Sequence, residues 1–238
     1  MHLGNLLKTI PKEYKTIDIR GISYDSRKVK KKYIFFAIKG TKTSGTEFID
    51  DAITKGASAI VSNKELKYKN SRVPFVLVKD VRQSLTEAIS KFYKKKPKNI
   101  IAVTGTNGKS SIADFFYQIL TINKVPVASI GTLGLFYKDH KKKTNLTSLD
   151  PISLHQSLQM LAKKKINNVI LEASSHGLDQ KRLDYLNIKT GIFTNFSHDH
   201  LDYHKSIKSY LNSKMYLFKN LLNKNSKIIT DEINKEFK

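Results

Sequence analysis

A chain of 238 residues with 39% hydrophobic content is long enough for one or two packed domains. It has no cysteine, which excludes disulfides and thiol chemistry, and no run of about 18 apolar residues, which argues against a membrane-spanning helix. The net charge of +23 points to anionic partners, yet arginine occurs only at 20, 27, 72, 82 and 182, and base readout and bidentate phosphate contacts favour arginine. The scattered lysines therefore read as a solvated surface that helps to steer anionic ligands.

The N-terminal stretch MHLGNLLKTIPKEYK lacks the apolar core and cleavage site of a signal peptide, and a cytoplasmic protein is expected. TIDIRGISYDS and YIFFAI read as strands. In GTEFIDDAITKGA, Phe48, Ile49, Ala52 and Ile53 fall at helical spacing and the pattern ends near Gly56. ASAIVS and PFVLVKD are short apolar strands, and VRQSLTEAISKFY is an amphipathic helix. KKKPKN then breaks the pattern with charge and proline, which places a domain boundary between 1–96 and 97–238. From residue 99 strands and helices alternate: NIIAVTG, SSIADFFYQILTI, VPVASIG, PISLHQSLQMLAKKK, INNVILEAS, TGIFTNFS, the helix 206–221, and a strand beginning at SKIIT. This is the βαβ signature of an α/β fold with a parallel sheet and ligand loops at the strand ends. An open domain of this kind is expected to carry more strands, so the chain is expected to be part of a longer one.

The stretch VTGTNGKSS, 103–111, lies between a strand and a helix. It departs from G-x-x-x-x-G-K-[ST], because Val103 takes the place of the first glycine. Gly105 and Gly108 allow a tight turn whose backbone N–H groups, with the helix N-terminus, form an anion cradle. Lys109 is placed to reach phosphate, and the Ser110 hydroxyl to ligate Mg²⁺. In LEASSHGLDQKRL, Glu172 ends an apolar strand, where a carboxylate can hold Mg²⁺. Ser174, Gln180 and Arg182 offer contacts to a carboxylate or phosphate, although a plain capped helix with surface Gln and Arg gives the same pattern. TNFSHDHLDYH crowds His198, Asp199, His200, Asp202 and His204 together. The metallohydrolase pattern H-x-H-x-D-H fails there because Tyr203 holds its last position, and one or two of these histidines are expected to do chemistry. Lys214 lies on the apolar stripe of Ile207, Tyr210, Leu211, Leu217, Phe218 and Leu221. It either snorkels outward or is buried with a partner or a depressed pKa.

Together these residues resemble the Mur ligase family, which builds the peptide stem of bacterial cell-wall precursors. TGTNGKSS is similar to that family's variant phosphate loop, T-G-T-x-G-K-[ST], which accounts for the displaced glycine. SSHGLDQKR resembles the branch that adds the third residue of the stem, and YDSR at 24–27 with IKGTKTSG resembles its uridine-nucleotide-binding domain. The resemblance implies a small α/β UDP-binding domain followed by a parallel-sheet ATPase domain. Tyr24, Ser26, Thr41, Lys42 and Thr43 would contact UDP. Gly105, Thr106, Asn107, Gly108, Lys109, Ser110 and Ser111 would hold ATP. Thr147, Ser148 and Leu149, preceded by Leu146, stand where the family carries a T-T-P loop, with Leu149 in place of the proline; Leu146, Thr147 and Ser148 would face the substrate. Ser174, Gln180 and Arg182 would bind the muramoyl dipeptide. Ser110 would ligate one Mg²⁺, Glu172, His200 and a carbamylated Lys214 would ligate a second, and Lys109 and Lys214 would be catalytic.

The implied activity is ATP-dependent addition of meso-diaminopimelate, or alternatively lysine, to UDP-N-acetylmuramoyl-L-alanyl-D-glutamate through an acyl phosphate. A monomer without nucleic-acid or membrane partners is expected. Family members carry a third domain that binds the incoming amino acid, and nothing in this sequence corresponds to it, so a chain inactive on its own is expected. Two alternatives remain at this point. A folylpolyglutamate synthetase would share the phosphate loop but lack the YDSR domain. A lysine-rich nucleic-acid-binding module would bind with a steep salt dependence and ignore UDP-sugars.

Overall fold

The computed structural model describes residues 1–8, 10–40, 43–65, 73–144 and 146–231. The chain divides into two units, Met1–Phe92 and Tyr93–Lys238, a division slightly before the boundary expected from KKKPKN.

In the first unit, β1 (Gly21–Ser23), β2 (Tyr33–Phe36), β3 (Ala57–Ser62) and β4 (Phe75–Leu77) form a four-stranded sheet in that order, every neighbouring pair parallel. Helix α1 (Ile49–Thr54) connects β2 to β3, and α2 (Val81–Phe92) follows β4. The turn leading into α1 is closed by a capping box, in which Ser44 N–H donates to Glu47 Oε1 at 3.0 Å. Ile49 and Ala52 then pack with Phe35, Ala57 and Ile60 in an apolar core. β1 is shorter than TIDIRGISYDS suggested, because Asp25 caps a single helical turn, Ser26–Lys28, directly after the strand.

The second unit holds β5 (Asn99–Thr104), α3 (Lys109–Ile122), β6 (Val127–Gly131), β7 (Gly134–Tyr137), β8 (His140–Lys142), α4 (Pro151–Lys163), β9 (Asn168–Glu172), α5 (Ser175–Asp179), β10 (Ile188–Phe193), α6 (Leu201–His204), α7 (Ile207–Tyr216) and β11 (Leu222–Thr230). The sheet order is β11-β10-β5-β9-β6-β7-β8. Strands β11 to β6 run parallel, while β7 and β8 add an antiparallel hairpin at one edge. The expected α/β architecture is therefore present. The hairpin was not foreseen: β8, HKK, is exposed along its whole length and has no apolar signature.

The central strands are buried on both faces, which is why NVILE and VASIG read as continuous apolar runs. Leu154, Leu158 and Leu161 of α4 pack on one face against Ala128, Ile130 and Leu171, and Ala113 of α3 meets Val103 and Ile170 on the other. Asp150 caps α4 by accepting from Ile152 and Ser153 N–H, both at 3.1 Å, with Pro151 in the first turn. The helix expected over 206–221 is α7 plus a π-helical turn, Leu217–Leu221, after which β11 begins earlier than SKIIT. Strand β5 is flanked by β9 and β10, so connections leave it in both directions. The carboxyl ends of β5, β9 and β6 form the crevice where α/β sheets bind ligands.

Candidate functional site

The phosphate loop leaves β5 at Gly105, whose φ of 143° favours glycine. A Cβ there would come within 1.9 Å of Thr194 Oγ1, so the position excludes a side chain on steric grounds as well. Gly108, at φ 81°, turns the chain into α3. The cradle differs from the expectation in one respect. The N–H groups of Thr106 and Asn107 are taken by Asn195, at 2.9 Å each to its carbonyl and side-chain oxygens. Gly108, Lys109, Ser110 and Ser111 line the cleft, and the first-turn N–H groups of α3 lack partners within the helix.

Lys109 is folded back on the loop, with Nζ donating to the carbonyls of Gly105 at 2.9 Å and Thr106 at 2.8 Å. Burial holds its pKa below the usual lysine range, opposed by Glu172 and Asp199. Lys214 resolves its two readings in favour of burial: it is 1% exposed, and its Nζ donates to the same Gly105 carbonyl at 2.6 Å. The ammonium also lies 4.4 Å from the Tyr210 ring centre. Burial, then repulsion from Lys109, pushes Lys214 down to about 7, with Asp199 opposing.

Glu172 ends β9, is 3% exposed, and accepts from Ser110 Oγ at 2.9 Å and Thr132 Oγ1 at 3.0 Å through Oε2. Its Oε1 accepts the Thr132 N–H at 2.9 Å. The carboxylate occupies space that only glycine leaves open, since a Cβ on Gly131 would lie 2.0 Å from Oε1. Ser110, Glu172, His200 and Lys214 all line one cleft of about 260 Å³, with Thr132, Thr147 and Ser174 on its wall. A hydroxyl oxygen beside a carboxylate, as at Ser110 and Glu172, suits Mg²⁺, whereas the Lys214 ammonium offers no lone pair. Among the described residues, no group of three or more His, Cys, Asp or Glu is placed to hold a metal.

The remaining expected residues separate. Ser148 is buried, and its hydroxyl is engaged by protein: it donates to the Glu172 carbonyl at 2.8 Å and accepts the Ser174 N–H at 2.8 Å. Ser174 caps α5 by accepting from Gly177 N–H at 3.1 Å. Arg182 Nη1 donates to the Ser148 carbonyl at 2.7 Å, and its Nε and Nη2 donate to Gln180 Oε1. Gln180 and Arg182 thus brace the 147–149 loop and stand outside the cleft lining, while Leu146 is exposed. Of the histidine-rich loop, His200 reaches the cleft. His204 is buried instead, packed with His176 and Tyr210 at ring distances of 5.5 and 5.3 Å.

In the first unit, exposed Tyr24 and buried Ser26 follow β1, and Thr43 follows β2. These strands are parallel neighbours, so both loops leave the same end of that sheet. Thr41 and Lys42 lie outside the described residues. The sequence reading missed Thr132, Gly131 and Asn195. The first two follow the apolar run VASI at a strand's carboxyl end, a signal that was available. Asn195 had none.

Residues 103–238 match the family model described as the Mur ligase middle domain, and residues 18–93 match that of the Mur ligase family catalytic domain. The chain belongs to the Mur ligase family. A Mur ligase of Brucella melitensis, named UDP-N-acetylmuramoyl-L-alanyl-D-glutamate--2,6-diaminopimelate ligase, is 43% identical over 92% of this chain and 45% of its own length. One of the same name from Rickettsia montanensis is 43% identical over 92% of this chain and 46% of its own. A solved structure of a ligase of that name superposes with a TM-score of 0.81 at 30% identity, over 97% of this chain and 52% of that one. A Mur ligase structure from Thermotoga maritima, at 22% identity and a TM-score of 0.61, shares the fold. The chain spans about half the length of the relatives it matches.

Proposed function

We propose that this chain provides the UDP-binding and ATP-binding units of an ATP-dependent amide ligase that joins 2,6-diaminopimelate to UDP-N-acetylmuramoyl-L-alanyl-D-glutamate in peptidoglycan synthesis. The observation that carries the reading is the single cleft shared by the phosphate loop, Glu172, His200, Lys214 and Thr147. The names of relatives that match across both units support the substrate, and the match over 18–93 disfavours a folylpolyglutamate synthetase. The proposed reaction uses ATP and a UDP-linked substrate and is cytoplasmic. We assign no residue of this chain to the incoming diaminopimelate.

A D-glutamyl carboxylate oxygen attacks the ATP γ-phosphorus, ADP leaves, and an acyl phosphate remains. The diaminopimelate nitrogen then attacks the acyl carbon and loses a proton as phosphate departs. Ser110 would hold one Mg²⁺, and Glu172, His200 and a carbamylated Lys214 a second; the ions would supply positive charge to the transferred oxygens. The first turn of α3 and Lys109 bind the phosphates, and Thr147 orients the peptide. Carbamylation of Lys214 is favoured by its surroundings. A pKa near 7 leaves much of the amine neutral, so its nitrogen can bond to the carbon of CO₂ and release a proton. The product also removes the repulsion between two cations that share one carbonyl.

Isothermal calorimetry tests the reading. Binding of UDP-N-acetylmuramoyl-L-alanyl-D-glutamate and of Mg²⁺ with a non-hydrolysable ATP analogue is expected, with UDP-N-acetylglucosamine much weaker. A chain that binds neither ligand overturns it.

A further inference from the structure

Thr132 lies in the turn between β6 and β7 and belongs to no part of the phosphate loop or the peptide loop. Its hydroxyl lies 3.0 Å from Thr147 Oγ1 and 3.0 Å from Glu172 Oε2. A hydroxyl has one proton to donate, and a carboxylate only accepts. Thr132 Oγ1 is the donor in both contacts, so Thr147 and Glu172 compete for its one proton. Whichever acceptor takes that proton leaves the other without it. The Thr132 N–H fixes the other carboxylate oxygen, and Gly131 leaves the space in which that oxygen sits.

We propose that Thr132 is a positioning residue that joins the Thr147 hydroxyl to the Glu172 carboxylate, so that occupancy of one ligand site alters affinity at the other. The proposal rests on the ligase reading above, in which Thr147 meets the peptide and Glu172 the cation. Any group that draws charge from Glu172 weakens its hold on the Thr132 proton and frees that proton for Thr147. The two sites then share a coupling free energy, and the effect is reciprocal. A turn merely capped by a carboxylate would contribute stability alone.

Calorimetry of the full chain measures the affinity for UDP-N-acetylmuramoyl-L-alanyl-D-glutamate with and without the Mg²⁺–ATP analogue. In the wild type and in Thr132→Ser, which keeps the hydroxyl, the nucleotide is expected to shift that affinity by about fivefold or more. In Thr132→Val both ligands still bind, and the shift falls below about twofold. Thr132→Ala, which removes the hydroxyl with less bulk, is expected to behave as the valine variant does. A valine and alanine pair that retains the wild-type shift overturns the role of Thr132 and leaves the ligase reading intact, as does a wild type that binds both ligands independently. A wild type that binds neither ligand overturns both.

Discussion

At Arg182 one guanidinium holds the Ser148 carbonyl and the Gln180 amide, so its charge is directed along the peptide loop. Arg182→Ala removes a charged hydrogen bond to the Ser148 carbonyl, worth about 1.5–3 kcal/mol to the 147–149 loop, and should weaken binding of the UDP-muramoyl dipeptide through that loop. Unchanged affinity by calorimetry would remove Arg182 from substrate recognition. His155 on α4 is fully buried, far from any ligand-facing role in the cleft. Burial, then the charge of Lys96, pushes its pKa down to about 3, against the backbone of Asp184, which favours the protonated ring. In the unfolded chain the ring takes up a proton near 6.5, so below that pH the unfolded state binds more protons than the native one. Stability from this residue is present above pH 6.5 and is lost as pH falls toward 3, at up to about 1.4 kcal/mol per pH unit. Urea unfolding at pH 7 and pH 5 should show His155→Leu losing about 1–2 kcal/mol less than the wild type between the two. Equal losses would show that this ring does not govern the acid side.

Among the elements, β6 shows how a strand end serves a neighbour. Gly131 closes it, and the Glu172 carboxylate from β9 fills the space beside it. In Gly131→Ala the new methyl would meet the far end of a flexible side chain, which can swing away, so the fold should survive. The displaced carboxylate, however, leaves Ser110 and the cation site. Binding of the ATP analogue should lose most of its Mg²⁺ dependence, with metal affinity down about 10- to 100-fold, as when a group that orients a ligand is removed. A titration of Mg²⁺ at fixed nucleotide checks this, and an unaltered curve would show that Glu172 tolerates the shift. Helix α4 is a contrasting case, because its role is in the core. Asp150→Ala removes the cap and should cost about 1 kcal/mol without changing nucleotide affinity.

For the whole molecule, each unit has its own sheet and its own apolar core. Scanning calorimetry should therefore separate two unfolding transitions. The ATP analogue with Mg²⁺ should raise the one that belongs to Tyr93–Lys238, and UDP the one that belongs to Met1–Phe92. A ligand at 100 times its Kd adds about 2.7 kcal/mol to the unit that binds it. A single transition that moves equally with either ligand would contradict this division.

Local features are legible in the chain alone. Periodicity marked the helices α2, α3 and α4, continuous apolar runs marked β5, β6 and β9, and glycine with Lys-Ser placed an anion-binding turn between β5 and α3. These features depend on residues within a few positions of one another, so composition and spacing suffice to reveal them. Lys214 stood out as a misplaced charge on an apolar stripe, but spacing could not tell burial from snorkelling. Tertiary structure decided that, by bringing Gly105 to it across 109 positions. It decided equally that Ser110 meets Glu172 across 62 positions, that Ser148 is spent on the backbone of β9, and that Arg182 braces a loop. Such contacts follow from the order of strands in the sheet, with β9 inserted between β5 and β6. That order is set by how the whole set of apolar faces packs together, a property that no single stretch of the chain contains.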